Sequence, residues 1–137
     1  MDETHPALVA ARSSWRAVRA MDKEAWLGLM AEDIRVEDPI GIGPTNPDGK
    51  GITGKAALAE FFDRNMAPNR IEVEPHESFA AGSESVHVLT LTTTFPNRVR
   101  MIVHGIFTYR VNDEGLLTNL RGYWTLADSR IEQPEEG

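Results

Sequence analysis

The sequence contains no cysteine among its 137 residues. Disulfide bonds, thiolate catalysis and cysteine-ligated metal sites are therefore excluded. A chain of this length with 41% hydrophobic residues can bury a core of its own, which fits one ordinary globular domain. The lack of cysteine also fits a reducing compartment, so we expect a cytoplasmic protein.

The sequence also lacks an excess of basic residues and has no long apolar run. Its 14 Lys and Arg residues stand against 21 Asp and Glu residues, which gives a net charge of −7. Because phosphate groups are bound by basic surfaces, this balance argues against nucleic acid and anionic membranes as partners. We expect neither a transmembrane helix nor a secretory signal.

Motifs for three common chemistries are missing. The histidines at positions 5, 76, 87 and 104 show no metal-ligand spacing, so no metal site is predicted. Ser14 has no nucleophile elbow around it, which argues against a Ser-His-Asp triad. The Gly-x-Gly pieces at 41–43 and 49–51 lack the following Lys-Ser/Thr pair of a phosphate-binding loop.

Hydrophobic periodicity predicts three helices in the first half of the chain. The first covers residues 7–21, with Ser14 in the middle of its apolar face. Asp22 is predicted to cap a short second helix that continues to Met30, and Thr53 is predicted to cap the third. A brief strand at 34–38 and a Gly/Pro-rich loop at 39–51 separate the second and third helices.

Residues beyond the third helix alternate with a period of two, which is typical of strands. The predicted strands lie near residues 71–79, 86–95, 101–111 and 116–126. Because helices come first and strands follow, the predicted class is α+β, with a curved mixed or antiparallel sheet around three N-terminal helices. We expect a single domain over residues 1–137, with flexible ends at 1–6 and 128–137.

A curved sheet covered by helices encloses an apolar pocket between the two layers. The side chains predicted to line it are Trp124, Phe107, Phe61, Phe62 and Met30. Trp124 is also consistent with an ordinary core residue, although a buried indole N–H requires a hydrogen-bond acceptor.

One carboxylate stands where this pocket is expected to open. In Val36-Glu37-Asp38-Pro39-Ile40, an alternating strand ends at a proline. Asp-Pro at a strand end is typical of a turn. If Asp38 instead faces the apolar pocket, burial raises its pKa and suits it to act as a general base. Glu37 is predicted to point to the opposite face of the strand.

Two segments resemble the Δ5-3-ketosteroid isomerase family. Met30-Ala-Glu-Asp-Ile-Arg-Val-Glu-Asp-Pro39 is similar to the segment that carries that family's base, and Arg121-Gly-Tyr-Trp-Thr125 is similar to its final strand. The pair Phe61-Phe62 and the segment Tyr109-Arg-Val-Asn112 follow in the matching order. The resemblance extends over roughly residues 7–126 and implies the cone-shaped α+β barrel shared with nuclear transport factor, scytalone dehydratase and SnoaL-type cyclases.

The resemblance implies that Asp38 is a catalytic base that moves a proton within a steroid, and that Trp124 belongs to the pocket. In that family a tyrosine and a protonated aspartic acid donate hydrogen bonds to the dienolate oxygen. Counted without gaps, their positions fall on Ser14, beside Trp15, and on Phe107.

The same gapless count gives two more differences from the family. Met30 and Phe62 stand where the family has two supporting tyrosines. The sequence offers Trp15, Trp124 and Tyr123 as replacement hydrogen-bond donors.

Three functions are compatible with these residues. The first is a ketosteroid-isomerase-like enzyme acting on a steroid or similar enone, which needs no metal or organic cofactor. The second is a steroid or hydrophobic-ligand binding protein without catalysis, and the third is a SnoaL- or dehydratase-type enzyme. In all three the resemblance implies a homodimer, paired through the outer sheet face that carries Thr90, Thr92 and Thr94.

Overall fold

The protein is described by a computed structural model over residues 2–134. Its helices are α1 (Pro6–Ala20), α2 (Lys23–Gly28) and α3 (Lys55–Phe61), and a π-helical turn, Phe62–Met66, continues α3. The strands are β1 (Met30–Glu37), β2 (Ile52–Thr53), β3 (Arg70–Ala81), β4 (Glu84–Thr94), β5 (Arg100–Val111), β6 (Leu117–Tyr123) and β7 (Arg130–Glu132).

All seven strands join one curved sheet that does not close on itself. The order is β2-β1-β6-β5-β4-β3, and β7 pairs with the edge of β5 that β6 leaves free. β1 and β6 run parallel, whereas the other neighbours are antiparallel. The predicted α+β class and mixed sheet are therefore confirmed.

The core lies between the concave face of the sheet and the helices. Alternate residues of β5 face inward, with Val103, Phe107 and Tyr109 all buried. On α1, Ser14 is only 2% exposed, as expected for a residue in the middle of the apolar face. Asp22 caps α2 by accepting a hydrogen bond from the Ala25 amide at 3.0 Å, as predicted.

Two predicted helix boundaries are wrong because neighbouring strands compete for the same residues. α2 ends at Gly28, and Met30 begins β1, where it pairs with Leu117 of β6. Thr53 does not cap α3, because it pairs with Arg35 in the short strand β2. Gly54 occupies the cap position instead.

Regular structure includes parts of both chain ends within residues 2–134. Pro6 is the first residue of α1, and the ring of His5 accepts a hydrogen bond from the Ala7 amide at 3.1 Å. Near the other end, β7 pairs with β5, and Arg100 forms an ion pair with Glu132 at 3.1 Å. Residues 1 and 135–137 of the two predicted flexible ends lie outside the described residues.

Candidate active site

Asp38 follows directly after β1 on the inner face of the sheet. Ile34 and Val36, at alternate positions before it, are both buried. The backbone N–H of Ile40 donates to the Gly122 carbonyl at 2.9 Å, which extends the parallel pairing of β1 and β6 past Asp38. Glu37 points to the other face, as predicted, where it lies 3.4–3.5 Å from the guanidinium groups of Arg35 and Arg121.

The carboxylate of Asp38 is positioned by a hydrogen bond from Trp124 and by the space that Gly122 leaves for it. Trp124 donates its indole N–H to Asp38 Oδ1 at 2.5 Å. A Cβ placed on Gly122 would lie 2.5 Å from Asp38 Oδ1 and 2.8 Å from Phe107 Cε2, so the carboxylate and the Phe107 ring both occupy the space that glycine leaves. Burial raises the pKa of Asp38, and the hydrogen bond from Trp124 opposes that rise.

These contacts lie in a cavity of about 390 Å³, a volume within the range of small-molecule sites. Six residues predicted for the site line it: Ser14, Trp15, Asp38, Phe61, Phe107 and Trp124. Among the described residues that line the cavity, Asp38 is the only carboxylate.

Two residues predicted for the wall do not line the cavity. Met30 is 1% exposed and pairs with Leu117 at the end of β1 opposite to Asp38. The Phe62 ring packs against the Trp26 ring, with 5.6 Å between centroids, and is buried behind the cavity. Both belong to the core because strand β1 and the π-helical turn direct them away from the space that a ligand would fill.

The loop after Asp38 is fixed by one buried asparagine. Asn46 donates to the carbonyl groups of Pro39 and Gly41 at 2.9 and 3.0 Å, and accepts from the Gly51 amide at 2.9 Å. Thr45 donates its hydroxyl to the backbone carbonyl of Asp38. The Gly/Pro-rich segment is therefore a supported loop that holds Asp38 in place.

Two tryptophans contact hydroxyl groups deep in the cavity. Trp15 donates its indole N–H to the Tyr109 hydroxyl at 2.9 Å, and Trp26 donates to the Ser14 hydroxyl at 3.1 Å. Both hydroxyl groups belong to residues of the cavity lining. Tyr109 is the functional candidate that the sequence did not single out, since its alternation showed only that it faces the core.

The three replacement donors named from the sequence are not available in the cavity. The Trp15 and Trp124 N–H groups are already engaged with Tyr109 and Asp38. Tyr123 lies on the outer face, 49% exposed, where the guanidinium of Arg121 lies 5.7 Å from its ring centroid.

A second buried polar group lies behind Trp15 and Tyr109. The His87 ring contacts both of their rings edge-on, at centroid distances of 4.8 and 5.4 Å. Its Nδ1 lies 2.7 Å from the Ser78 hydroxyl and its Nε2 lies 2.8 Å from the Ser85 hydroxyl. Burial, with a smaller effect of Arg12, lowers the pKa of His87 to about 4, so His87 is neutral at neutral pH.

Polar side chains reach the cavity from the π-helical turn and the residues after it. Arg64, Asn65 and Asn69 line the side where the cavity meets the surface. Over residues 2–134, no cluster of His, Asp and Glu is arranged to hold a metal ion. None of the helices in that range is long and apolar enough to cross a bilayer.

Comparison with known proteins places this site in a family. Residues 11–120 match the sequence profile of the SnoaL-like domain. The Δ5-3-ketosteroid isomerase of a Mycobacterium species is 50% identical and superposes with a TM-score of 0.91, covering 94% of this chain and 100% of that one.

Two further relatives differ in what they bind or do. RV0760c of Mycobacterium tuberculosis, solved in complex with estradiol-17beta-hemisuccinate, is 50% identical with a TM-score of 0.89, covering 93% of this chain and 99% of that one. The epoxide hydrolase LasB of Streptomyces lasalocidi is 32% identical over 83% of this chain. The chain spans 39% of the length of LasB.

Proposed function

The chain belongs to the SnoaL-like domain family, and we propose that it is a ketosteroid-isomerase-like enzyme acting on a 3-ketosteroid or a related polycyclic enone. The observation that carries this proposal is Asp38, the single carboxylate among the described residues that line the cavity, which is half-buried there and fixed by Trp124. A reaction in which one group removes a proton and returns it needs one such base and no second acid.

In the proposed reaction the Asp38 carboxylate removes a proton from C4 of a Δ5-3-ketosteroid. The electron pair of that C–H bond forms a C3–C4 double bond, and the carbonyl electrons move onto the C3 oxygen to give a dienolate. Asp38 then returns the proton to C6 while the C3 carbonyl re-forms, which leaves the conjugated Δ4 product and a free carboxylate. The raised pKa of Asp38 makes it a stronger base than a solvent-exposed aspartate.

The rest of the cavity suits a flat polycyclic ligand. Phe61, Phe107 and Trp124 contribute aromatic surface, and Ser14 and Trp15 close the α1 side. The complex of RV0760c with a steroid ester, at 50% identity to this chain, supports a ligand of this class.

The experiment is the isomerisation of a Δ5-3-ketosteroid, followed by the absorbance of the conjugated enone. Asp38→Asn should lower kcat about 10²–10⁴-fold, the usual contribution of a positioned general base. Asp33→Asn makes the same change at an exposed position of the same strand and should leave the rate unchanged. Burial raises the pKa of Asp38 above 3.8, the ordinary pKa of aspartate. As the pH decreases, the wild-type rate should therefore begin to fall while the pH is still above 3.8, because protonated Asp38 cannot accept a proton. Absence of turnover in the wild type would contradict the proposal.

A binding protein without catalysis is the second candidate. It is favoured by Ser14 and Phe107, which stand where the isomerases have their two oxyanion donors, because binding requires the cavity but not those donors. Tight steroid binding by the wild type without enone formation would select this function.

An epoxide hydrolase or cyclase is the third candidate, favoured by the 32% identity to LasB. Opening an epoxide requires protonation of its oxygen as well as attack on carbon, so it commonly calls for an acid and a base. Conversion of a polycyclic epoxide, with no turnover of the ketosteroid, would select it.

We also propose that the protein is a homodimer joined through the outer face of the sheet. Phe79, Ile106 and Tyr123 expose 44–61% of their surface there. Ile106 pairs with Tyr123, and Val86 and Val88 of β4 lie between these two residues and Phe79. Thr90, predicted for this face, lies at the centre, 2.8 and 3.0 Å from ring nitrogens of His76 and His104. Contiguous exposed apolar surface of this kind marks protein interfaces. A monomer mass by light scattering at micromolar concentration would contradict the dimer.

The proposed location is the cytoplasm, which a composition without cysteine supports. Fractionation of cells that express the natural gene, with detection by antibody, checks it.

A further inference from the structure

Tyr109 and Asp38 line the same cavity, and the charge of Asp38 acts on the Tyr109 hydroxyl. It is 4% exposed and lies two residues beyond Phe107 on β5, a separation of about 7 Å along the strand. Phe107 pairs with Gly122, against which the Asp38 carboxylate rests. Tyr109 is therefore one inward-facing position along β5 from the residue that packs beside Asp38, and it lines the same cavity.

The hydrogen bond to Trp15 determines the direction in which Tyr109 can donate. An indole N–H is a donor and cannot accept, so the Tyr109 oxygen must be the acceptor in the 2.9 Å contact. The hydroxyl hydrogen of Tyr109 is left for another partner. Among residues 2–134, the only hydrogen bond of this hydroxyl is the one it accepts from Trp15.

Of the other donors, Arg64, Asn65 and Asn69 lie where the cavity meets the surface, and those deeper in the cavity are weaker candidates than Tyr109. The indole hydrogens of Trp15 and Trp124 are already bonded. Ser14 also accepts from a tryptophan, Trp26, and keeps its own hydrogen. As a helical serine, however, it has the carbonyl of the preceding turn as a local acceptor, and an aliphatic alcohol is a poorer donor than a phenol.

Tyr109 has the protonation state and polarity required of a donor to an anion. Burial raises the pKa of Tyr109, the Trp15 hydrogen bond opposes that rise, and the charge of Asp38 adds to it, so the phenol is protonated at neutral pH. Donation from Trp15 into the Tyr109 oxygen polarises its O–H bond, because chained hydrogen bonds strengthen each other.

We propose that Tyr109 is the oxyanion donor of this enzyme, with its hydroxyl hydrogen directed to the enolate oxygen of the substrate and Trp15 as the positioning residue behind it. The inference rests on the proposed isomerase function. It places the hydrogen-bond donor to the enolate oxygen on β5, whereas by the gapless count the donor tyrosine of the related isomerases falls on position 14 of α1. A donor on β5 would explain why this chain has serine at that position.

The first test is Tyr109→Phe, which removes the hydroxyl and keeps the ring that packs on Trp15 and His87. We expect kcat to fall about 10²–10³-fold with KM within a few-fold, because the donor acts on charge that develops in the transition state. Tyr123→Phe, at the chain's other tyrosine, removes an exposed hydroxyl and should leave kcat unchanged. Less than a threefold loss in Tyr109→Phe, with Asp38→Asn inactive, would overturn the assignment and leave the isomerase function standing.

Two more variants separate Tyr109 from its neighbours. Ser14→Ala should cost less than Tyr109→Phe, and the reverse order would assign the donor to Ser14 and overturn the proposal. In Tyr109→Phe the Trp15 N–H loses its acceptor and can reach for the ligand oxygen. We therefore expect Trp15→Phe/Tyr109→Phe to be slower than Tyr109→Phe alone, with circular dichroism confirming that both variants fold.

A binding measurement tests Tyr109 without turnover. Estradiol carries a phenol oxygen that imitates the enolate oxygen, and Asp38→Asn imitates the protonated base. In Asp38→Asn with bound estradiol, we expect a proton resonance far downfield of the amide region that disappears in Asp38→Asn/Tyr109→Phe. If the resonance persists in the double variant, the hydrogen bond comes from another group and the proposal fails, whatever the enzyme's reaction is.

Discussion

At the scale of single residues, the position of the Asp38 carboxylate depends on Gly122. The Asp38 carboxylate and the Phe107 ring fill the space where a Cβ would be, at 2.5 and 2.8 Å. In Gly122→Ala the methyl group must displace Asp38 from its bond with Trp124. A displacement of about 1 Å in an active site can cost 10²-fold in rate, so we expect a kcat loss of that order in the isomerase assay.

Gly28 provides the matched control for this prediction. A Cβ at Gly28 would meet nothing within 4 Å, so Gly28→Ala should keep full activity. Since alanine is the better helix former, it should also be neutral or stabilising at this position in α2. Equal activities in the two variants would show that Gly122 has no part in placing the base.

The sequence singled out Asp38 as a candidate but not Tyr109. Asp38 stood out by a local pattern, an alternating strand that ends at proline, together with a family motif. The role proposed for Tyr109 depends on Trp15, which lies 94 residues away in sequence. Alternation along β5 showed that Tyr109 faces inward, but it contains no information about which hydrogen bond its oxygen accepts.

At the scale of secondary-structure elements, His87 links three of them behind the cavity. It lies on β4 and contacts the hydroxyl groups of Ser78 on β3 and of Ser85. Ser85 in turn donates to the Ala7 carbonyl at the start of α1, at 2.9 Å. This chain of hydrogen bonds requires a His87 ring that accepts at one nitrogen, which is the neutral form.

We therefore expect the protein to lose stability in mild acid. The pKa of His87 is about 4 in the folded state and 6.5 in its ordinary state, so the unfolded chain binds more protons between these values. The free energy of unfolding attributable to His87 is fully present above pH 6.5 and decreases as the pH falls toward 4. Urea unfolding at several pH values should show this decrease.

His87→Gln removes the titrating group and should flatten the dependence on pH, even though its stability at neutral pH is lower than that of the wild type. His76→Gln, at an exposed histidine, should keep the wild-type slope. The raised pKa of Asp38 has the opposite effect on the free energy of unfolding. As the pH falls, protonation of this carboxyl stabilises the folded state relative to the unfolded one. The comparison is therefore best repeated in Asp38→Asn. The same slope in His87→Gln and the wild type would contradict the prediction.

Element types could be predicted from the sequence, whereas boundaries and faces could not where tertiary pairing decides them. Alternation along the strand predicted near residues 71–79 places Ile71, Val73, Glu77 and Phe79 on one side of it. The register shifts between Pro75 and Glu77, so the second pair lies on the outer face and Phe79 is 61% exposed. A bulge of one residue reverses every side chain after it, and single-strand alternation does not reveal it.

At the scale of the whole molecule, the outer face of the sheet is divided by charge. Glu72, Glu74 and Glu77 lie along β3 and outnumber the one cation beside them, Arg70. On the opposite side of the face, Arg100, Arg121 and Arg130 outnumber the two glutamates with which they form ion pairs, Glu37 and Glu132. The apolar patch with Ile106 lies between them. If the two-fold axis of a dimer runs along the strands, the acidic side of each copy faces the basic side of its partner. If the axis runs across the strands, the glutamates of one copy face the glutamates of the other. The charges therefore favour the first arrangement.

A charge in the middle of this patch should separate the proposed dimer. Ile106→Glu places two unpaired carboxylates in the interface, one from each copy, and burying such a charge costs several kcal/mol. The dissociation constant should rise at least about 100-fold, since 1.4 kcal/mol corresponds to a factor of ten. Ile42→Glu makes the same substitution at an 80% exposed loop residue and should leave the mass unchanged in sedimentation equilibrium. If Ile106→Glu sediments as the wild type does, the two copies are joined through another surface.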